Sequence, residues 1–144
     1  MKIVKTKDRT PQLIDKLLKV WENSVRATHK FLSNEEILEI KKYVPQALND
    51  IAHLIIDTDE NENPIAFIGI EGNKLEMLFI ASEYRGKGIG TKLIETMLKL
   101  LKNKGYKKTS LAVQKDNYAV KMYKKVGFKI INENEQEYIM VCDL

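Results

Sequence analysis

The chain has 144 residues, 44% apolar and 31% charged, which describes one soluble globular domain. At that length roughly 68% of the unfolded surface can be buried, so no disulfide or metal staple is required, and no apolar run approaches the ~20 residues of a membrane span. The net charge of +4 (24 basic against 20 acidic residues) is too small to argue for a nucleic-acid partner.

Lys2–Thr6 reads as a short strand, and Pro11 sits where the first turn of a helix tolerates proline. Leu13, Leu17, Val20, Trp21 and Val25 follow at helical spacing and predict an amphipathic helix to about Val25. A second helix opens at Ser33-Asn34-Glu35-Glu36, a capping-box pattern, carries Ile37, Leu38 and Ile40, and ends before Pro45. Ala52–Thr58, Ile65–Glu71 and Lys74–Ile80 are strand-like runs joined by Asp59–Asn63 and Gly72-Asn73, turns short enough to imply an antiparallel meander. A helix from about Gly90 to Lys104 puts Leu93, Ile94, Met97, Leu100 and Leu101 on one face, and Gly105 stops it. Thr109–Gln114 is a strand, Asn117–Val126 a helix stopped by Gly127, and Phe128–Asn132 with Tyr138–Val141 a closing hairpin. The order β-α-α-β-β-β-α-β-α-β-β describes an α/β domain over residues 1–144, with one parallel strand pair inside a mixed sheet.

Charge is unevenly placed. Residues 33–63 carry eight acids against Lys41 and Lys42, whereas residues 85–129 carry thirteen bases against Glu95 and Asp116. A basic half of this kind attracts a polyanion. The start, Met1–Asp8, has no apolar signal-peptide core, so a cytoplasmic location is expected. The single cysteine, Cys142, leaves no partner for an internal disulfide and no Cys-based zinc cluster. With only His29 and His53 besides, no metal is expected.

The informative stretch is Ile80-Ala81-Ser82-Glu83-Tyr84-Arg85-Gly86-Lys87-Gly88-Ile89-Gly90-Thr91-Lys92. A strand runs into a turn with three closely spaced glycines, and a helix opens immediately after. Glycine lets the backbone approach a ligand closely, and free amides at a helix N-terminus favour an anion. Arg85, Lys87 and Lys92 strengthen that field, so the loop suits a phosphate or pyrophosphate. Neither G-x-x-x-x-G-K-[ST] nor G-x-G-x-x-G fits any register.

Arg85-x-x-Gly88-x-Gly90 resembles the pyrophosphate signature of the GNAT superfamily of N-acetyltransferases. Ala119-Val120-Lys121-Met122-Tyr123-Lys124-Lys125-Val126-Gly127-Phe128 resembles its downstream A-x-x-x-Y-x-K-x-G-F motif, and the element order matches the GNAT fold along nearly the whole chain. Trp21–Leu32 is similar to a small bacterial subgroup.

The resemblance implies acetyl-CoA as co-substrate. Amides of Arg85, Gly86, Lys87, Gly88, Ile89 and Gly90, with Thr91, hold its pyrophosphate, and Leu78, Phe79 and Ile80 line its pantetheine arm. Tyr123 would be the general acid that protonates the leaving thiolate. For the base there are two candidates. Glu76 lies on the fourth strand, where strict alternation places it on the face of Leu78 and Ile80; His29 has an ordinary pKa of ~6.5, suited to neutral pH. Relatives often carry Asn where this chain has Asp116, so either Asp116 or Asn117 contacts the pantetheine. His53, Trp21, Phe31 and Cys142 read first as structural residues. The acceptor is expected to be a primary amine, small-molecule or peptidyl, and the acidic 33–63 segment would favour a cationic one if it borders the acceptor mouth; no nucleic acid or membrane partner is expected. The chain is expected to be a monomer or homodimer. The alternative is a non-catalytic acyl-CoA-binding module.

Overall fold

A computed structural model describes the chain from Met1 to Leu144. Its elements are β1 (Lys2–Ile3), α1 (Pro11–Thr28), α2 (Asn34–Lys41), α3 (Val44–Asp50), β2 (His53–Thr58), β3 (Pro64–Glu71), β4 (Lys74–Ile80), α4 (Ile89–Asn103), β5 (Lys108–Gln114), α5 (Ala119–Lys125), β6 (Lys129–Glu133) and β7 (Glu137–Asp143). The strands form one seven-stranded sheet in the order β1-β2-β3-β4-β5-β7-β6. All neighbours are antiparallel except β4 and β5, the parallel pair required by the α4 crossover.

Both faces of the sheet are covered, and the central strands are apolar on both sides for that reason. Leu54, Ile56 and Phe67 pack beneath α1 to α3, against Leu17, Trp21 and Leu48. Their alternating neighbours Ile55, Ile68 and Ile70 pack against Leu93, Ile94, Met97 and Leu101 of α4 and Phe128 beyond α5.

The first helix runs to Thr28, beyond the expected Val25. The largest departure from the sequence reading is α3. Pro45 does not close a helix; it occupies the first turn of a new one, where its missing N–H costs nothing. This additional helix is tied down by Arg9, only 6% exposed. The Arg9 guanidinium donates to the carbonyls of Leu48, Asn49 and Ile51 at the C-terminal end of α3, and to Val4 and Ala52, with the shortest bond 2.6 Å to Ile51. The positive charge therefore sits where the helix dipole is negative.

Two irregularities shape the middle of the sheet. Pairing of β3 with β4 jumps from Gly69–Met77 to Ile70–Leu75, so Glu76 is an extra residue bulged out of β4. The β4–β5 pair is registered only at Lys74–Ser110, near where both strands begin. Beyond that rung the strands part and leave a wedge that opens toward Ile80 and Gln114.

Candidate active site

The glycine loop lies at the open end of this wedge. A short turn at Ser82–Tyr84 leads out of β4, and the Ser82 amide donates to Asn23 Oδ1 of α1 at 2.7 Å, which fixes the loop's departure point. Gly86 and Gly88 have φ of 77° and 81°, in the left-handed region that disfavours any side chain. Gly90 is needed for a different reason: a Cβ there would lie 2.6 Å from Met122 Sδ and 2.9 Å from Ile80 Cδ1. Only glycine lets the start of α4 touch both the end of β4 and α5.

None of the six amides from Gly86 to Thr91 donates a hydrogen bond within the protein. The loop and the N-terminal end of α4 border a cleft of about 350 Å³ lined by Arg85, Gly86, Gly88, Tyr118, Lys121 and Lys125. The Arg85 Nε is buried without a hydrogen-bond partner. Its guanidinium lies 5.5 Å from the centre of the Tyr118 ring, and Lys87 Nζ lies 5.6 Å from that of Tyr84. An orphaned guanidinium N–H beside a row of free amides is a donor set for a diphosphate. The basic loop, Arg85 and the α5 lysines thus have the donors and the charge that a diphosphate requires.

Tyr118, Lys121 and Lys125 line this cleft and were passed over by the motif reading. Their spacing of i, i+3 and i+7 puts them on one face of α5, while Ala119, Val120 and Tyr123 face the core. That helical period was the available signal.

Tyr123 is 5% exposed, and its ring packs edge-on to Phe128 with centroids 5.7 Å apart. Its hydroxyl makes no hydrogen bond within the protein and is not among the sealed polar atoms. Burial pushes the phenol well above its ordinary value, with Tyr118 adding in the same direction, so Tyr123 is a protonated donor at every physiological pH.

His29 follows the last turn of α1. Its amide donates to Val25 O at 2.8 Å, and its ring lies 5.5 Å from that of Phe31. Burial holds the imidazole below its ordinary value, and Asp116 pulls in the opposite direction. Asp116 belongs to the segment that joins β5 to α5. Asn117, by contrast, uses its side-chain oxygen to accept from the Ala119 amide at 2.9 Å and so starts α5. Asp116 is exposed, and its carboxylate makes no hydrogen bond within the protein.

Glu76 departs from expectation. The bulge breaks strict alternation, so Glu76 does not share the face of Leu78 and Ile80. It lies toward α3 with Asp50, Ile51, Glu71 and Met77, and it contacts Lys74 at 3.7 Å. Phe79 also points to the α1 side, 6.5 Å from Trp21 and 5.6 Å from Phe67, whereas Leu78 and Ile80 pack on the α4 side. All three line the wedge through their backbone.

A profile of the acetyltransferase (GNAT) domain family matches residues 17–141. The chain belongs to the GNAT family of N-acetyltransferases. It is 36% identical over 121 residues to the peptidyl-lysine N-acetyltransferase YjaB of Salmonella typhimurium, covering 84% of this chain and 80% of that one. To YjaB of Escherichia coli it is 34% identical over 121 residues, covering 84% and 79%. Among solved structures, the PaiA N-acetyltransferase of Thermoplasma acidophilum in complex with coenzyme A superposes over the whole of both chains, with a TM-score of 0.82 and 25% identity. The apo form of E. coli YjaB gives 0.70 and 28%, over 97% of this chain and 93% of that one. This GNAT chain is thus an enzyme that depends on acetyl-CoA, with the mixed sheet and flanking helices expected from its sequence.

Proposed function

We propose that this GNAT enzyme transfers the acetyl group of acetyl-CoA to a primary amine, with a peptidyl lysine as the favoured acceptor. The observation that carries the reading is the row of unpaired amides beside the orphaned Arg85 Nε, set at the mouth of a split sheet that Tyr123 flanks. The thioester supplies an activated acyl carbon and a leaving thiolate. The backbone of β4 and β5 along the wedge holds the extended arm, and Arg85, Lys121 and Lys125 face the phosphates.

Two protons must move. His29 takes one from the attacking amine, because burial keeps its imidazole neutral and the bulge has turned Glu76 toward α3. Tyr123 gives the other to sulfur as the C–S bond breaks and the C–N bond forms. A phenol raised by burial parts with its proton only to a strong base, and a thiolate released in the same dry cleft is one. A lysine acceptor accords with the YjaB relatives and with the cleft beyond the bulge, where Asp50, Glu71 and Glu76 are grouped.

Calorimetry with CoA and acetyl-CoA, followed by a panel of lysine peptides, polyamines and neutral amines with thiol detection, tests the reading. Binding with turnover strongest on lysine peptides supports it. Binding with no turnover on any amine would favour an acyl-CoA-binding module, and no binding would remove the site altogether.

A further inference from the structure

Thr28 carries the hydroxyl beside His29, and that hydroxyl has a prior commitment. Its Oγ1 donates to the carbonyl of Ser24, one turn back along α1, at 2.8 Å. The same oxygen lies 2.8 Å from Nδ1 of His29. A threonine hydroxyl has one hydrogen to give and can accept two. With its hydrogen on Ser24 O, the contact with the ring bonds only when Nδ1 carries the proton. The opposite assignment would leave two oxygens 2.8 Å apart with no hydrogen between them, in a partly buried place.

From this geometry we infer that Thr28 is a positioning residue, which holds His29 in its Nδ1–H tautomer and leaves the Nε2 lone pair as the proton acceptor. The inference rests on the reading of His29 as the base. In an imidazole, the hydrogen bond made by one nitrogen decides the state of the other. Neutral imidazole in water favours the Nε2–H form, which has no lone pair at the position required here, so Thr28 works against the ring's own preference. The bond from the His29 amide to Val25 fixes the backbone, and the Phe31 ring beside the imidazole limits how it can turn. The proton balance is simple. As the acceptor nitrogen bonds to the acyl carbon, its N–H bond breaks and the proton goes to Nε2. The resulting imidazolium keeps Nδ1–H on Thr28 and later loses the Nε2 proton to water.

The test combines a spectrum with kinetics on the full chain. Long-range proton–nitrogen correlation on labelled protein, above the His29 pKa, reads the tautomer directly. The wild type is expected in the Nδ1–H form. Thr28→Val should move it toward Nε2–H and lower kcat roughly fivefold, the worth of one ordinary hydrogen bond, with KM for acetyl-CoA unchanged. Thr28→Ser should restore both. A wild-type ring in the Nε2–H form overturns the inference. So does a Thr28→Val protein with unchanged kcat while His29→Gln is inactive. Undiminished turnover in His29→Gln instead removes the base itself, a failure of the underlying reading that the spectrum tells apart.

Discussion

Replacing Tyr123 by Phe separates chemistry from architecture, because the structure makes opposite demands of the ring and the hydroxyl. The ring is 5% exposed and packed on Phe128, contacts that phenylalanine retains in full. The hydroxyl has no partner within the protein, so its loss breaks no hydrogen bond and leaves no group stranded. Folding stability should therefore stay within about 0.5 kcal/mol of the parent. CoA affinity should also hold, since the donors proposed for its phosphates are the unpaired Gly86–Thr91 amides and Arg85. Turnover should not hold. A general acid contributes at least ~10²-fold, which is about 2.7 kcal/mol of barrier. Thiol release under saturating acetyl-CoA, CoA calorimetry and urea denaturation measure the three quantities on one preparation. A kcat within twofold of the parent would take the acid role from Tyr123. Destabilisation beyond about 2 kcal/mol would show that the hydroxyl has an architectural partner after all.

Arg9→Met strips the donors from five carbonyls, those of Val4, Leu48 and Ile51 buried, and should cost about 3–5 kcal/mol, lowering Tm by roughly 10 °C; a loss under about 1 kcal/mol in urea denaturation would refute the clamp. Because burial lowers the His29 pKa, the acid limb of kcat/KM should lie below pH ~6.5, and Asp116→Asn, which removes the opposing charge, should shift it lower still; an unchanged or raised limb contradicts this. The same lowering makes stability from His29 complete above pH ~6.5 and lost as pH falls through the folded-state value, a trend that pH-dependent denaturation of His29→Gln would lack. Gly88→Ala places a side chain at φ 81° in open space, so the cost is conformational, about 1–2 kcal/mol. CoA binding should weaken roughly tenfold in calorimetry if that cost is relieved by the loop leaving its anion-binding shape, and equal affinity would refute the link.

The glycine loop and the Tyr123 motif were legible because local backbone demands and short spacings survive in one dimension. The meander was too, since alternating apolar runs separated by two-residue or five-residue turns leave few topologies. The second helix does end before Pro45, but α3 went unseen because proline is equally consistent with a helix end and with the first turn of the next helix. Glu76 was placed on the wrong face because a bulge adds one residue to one strand, and no residue type in Lys74–Ile80 announces it. Arg9 gave no signal either: its partners are main-chain carbonyls around residue 50, which have no letter of their own. Tyr118 lies outside the motif, five residues before Tyr123 and so on a different side of α5, and that side is the one that meets Arg85.

A sheet parted down its centre has two raw borders inside it, in addition to those at β1 and β6. Such borders ordinarily recruit other chains and invite aggregation. Here each border is guarded by the other, across a gap anchored at the Lys74–Ser110 rung and roofed by helices on both faces. What the two borders still lack is a bonding partner for their main-chain groups, and an extended thread that carries amides of its own can be one. The fold thereby turns what would be a liability into a berth.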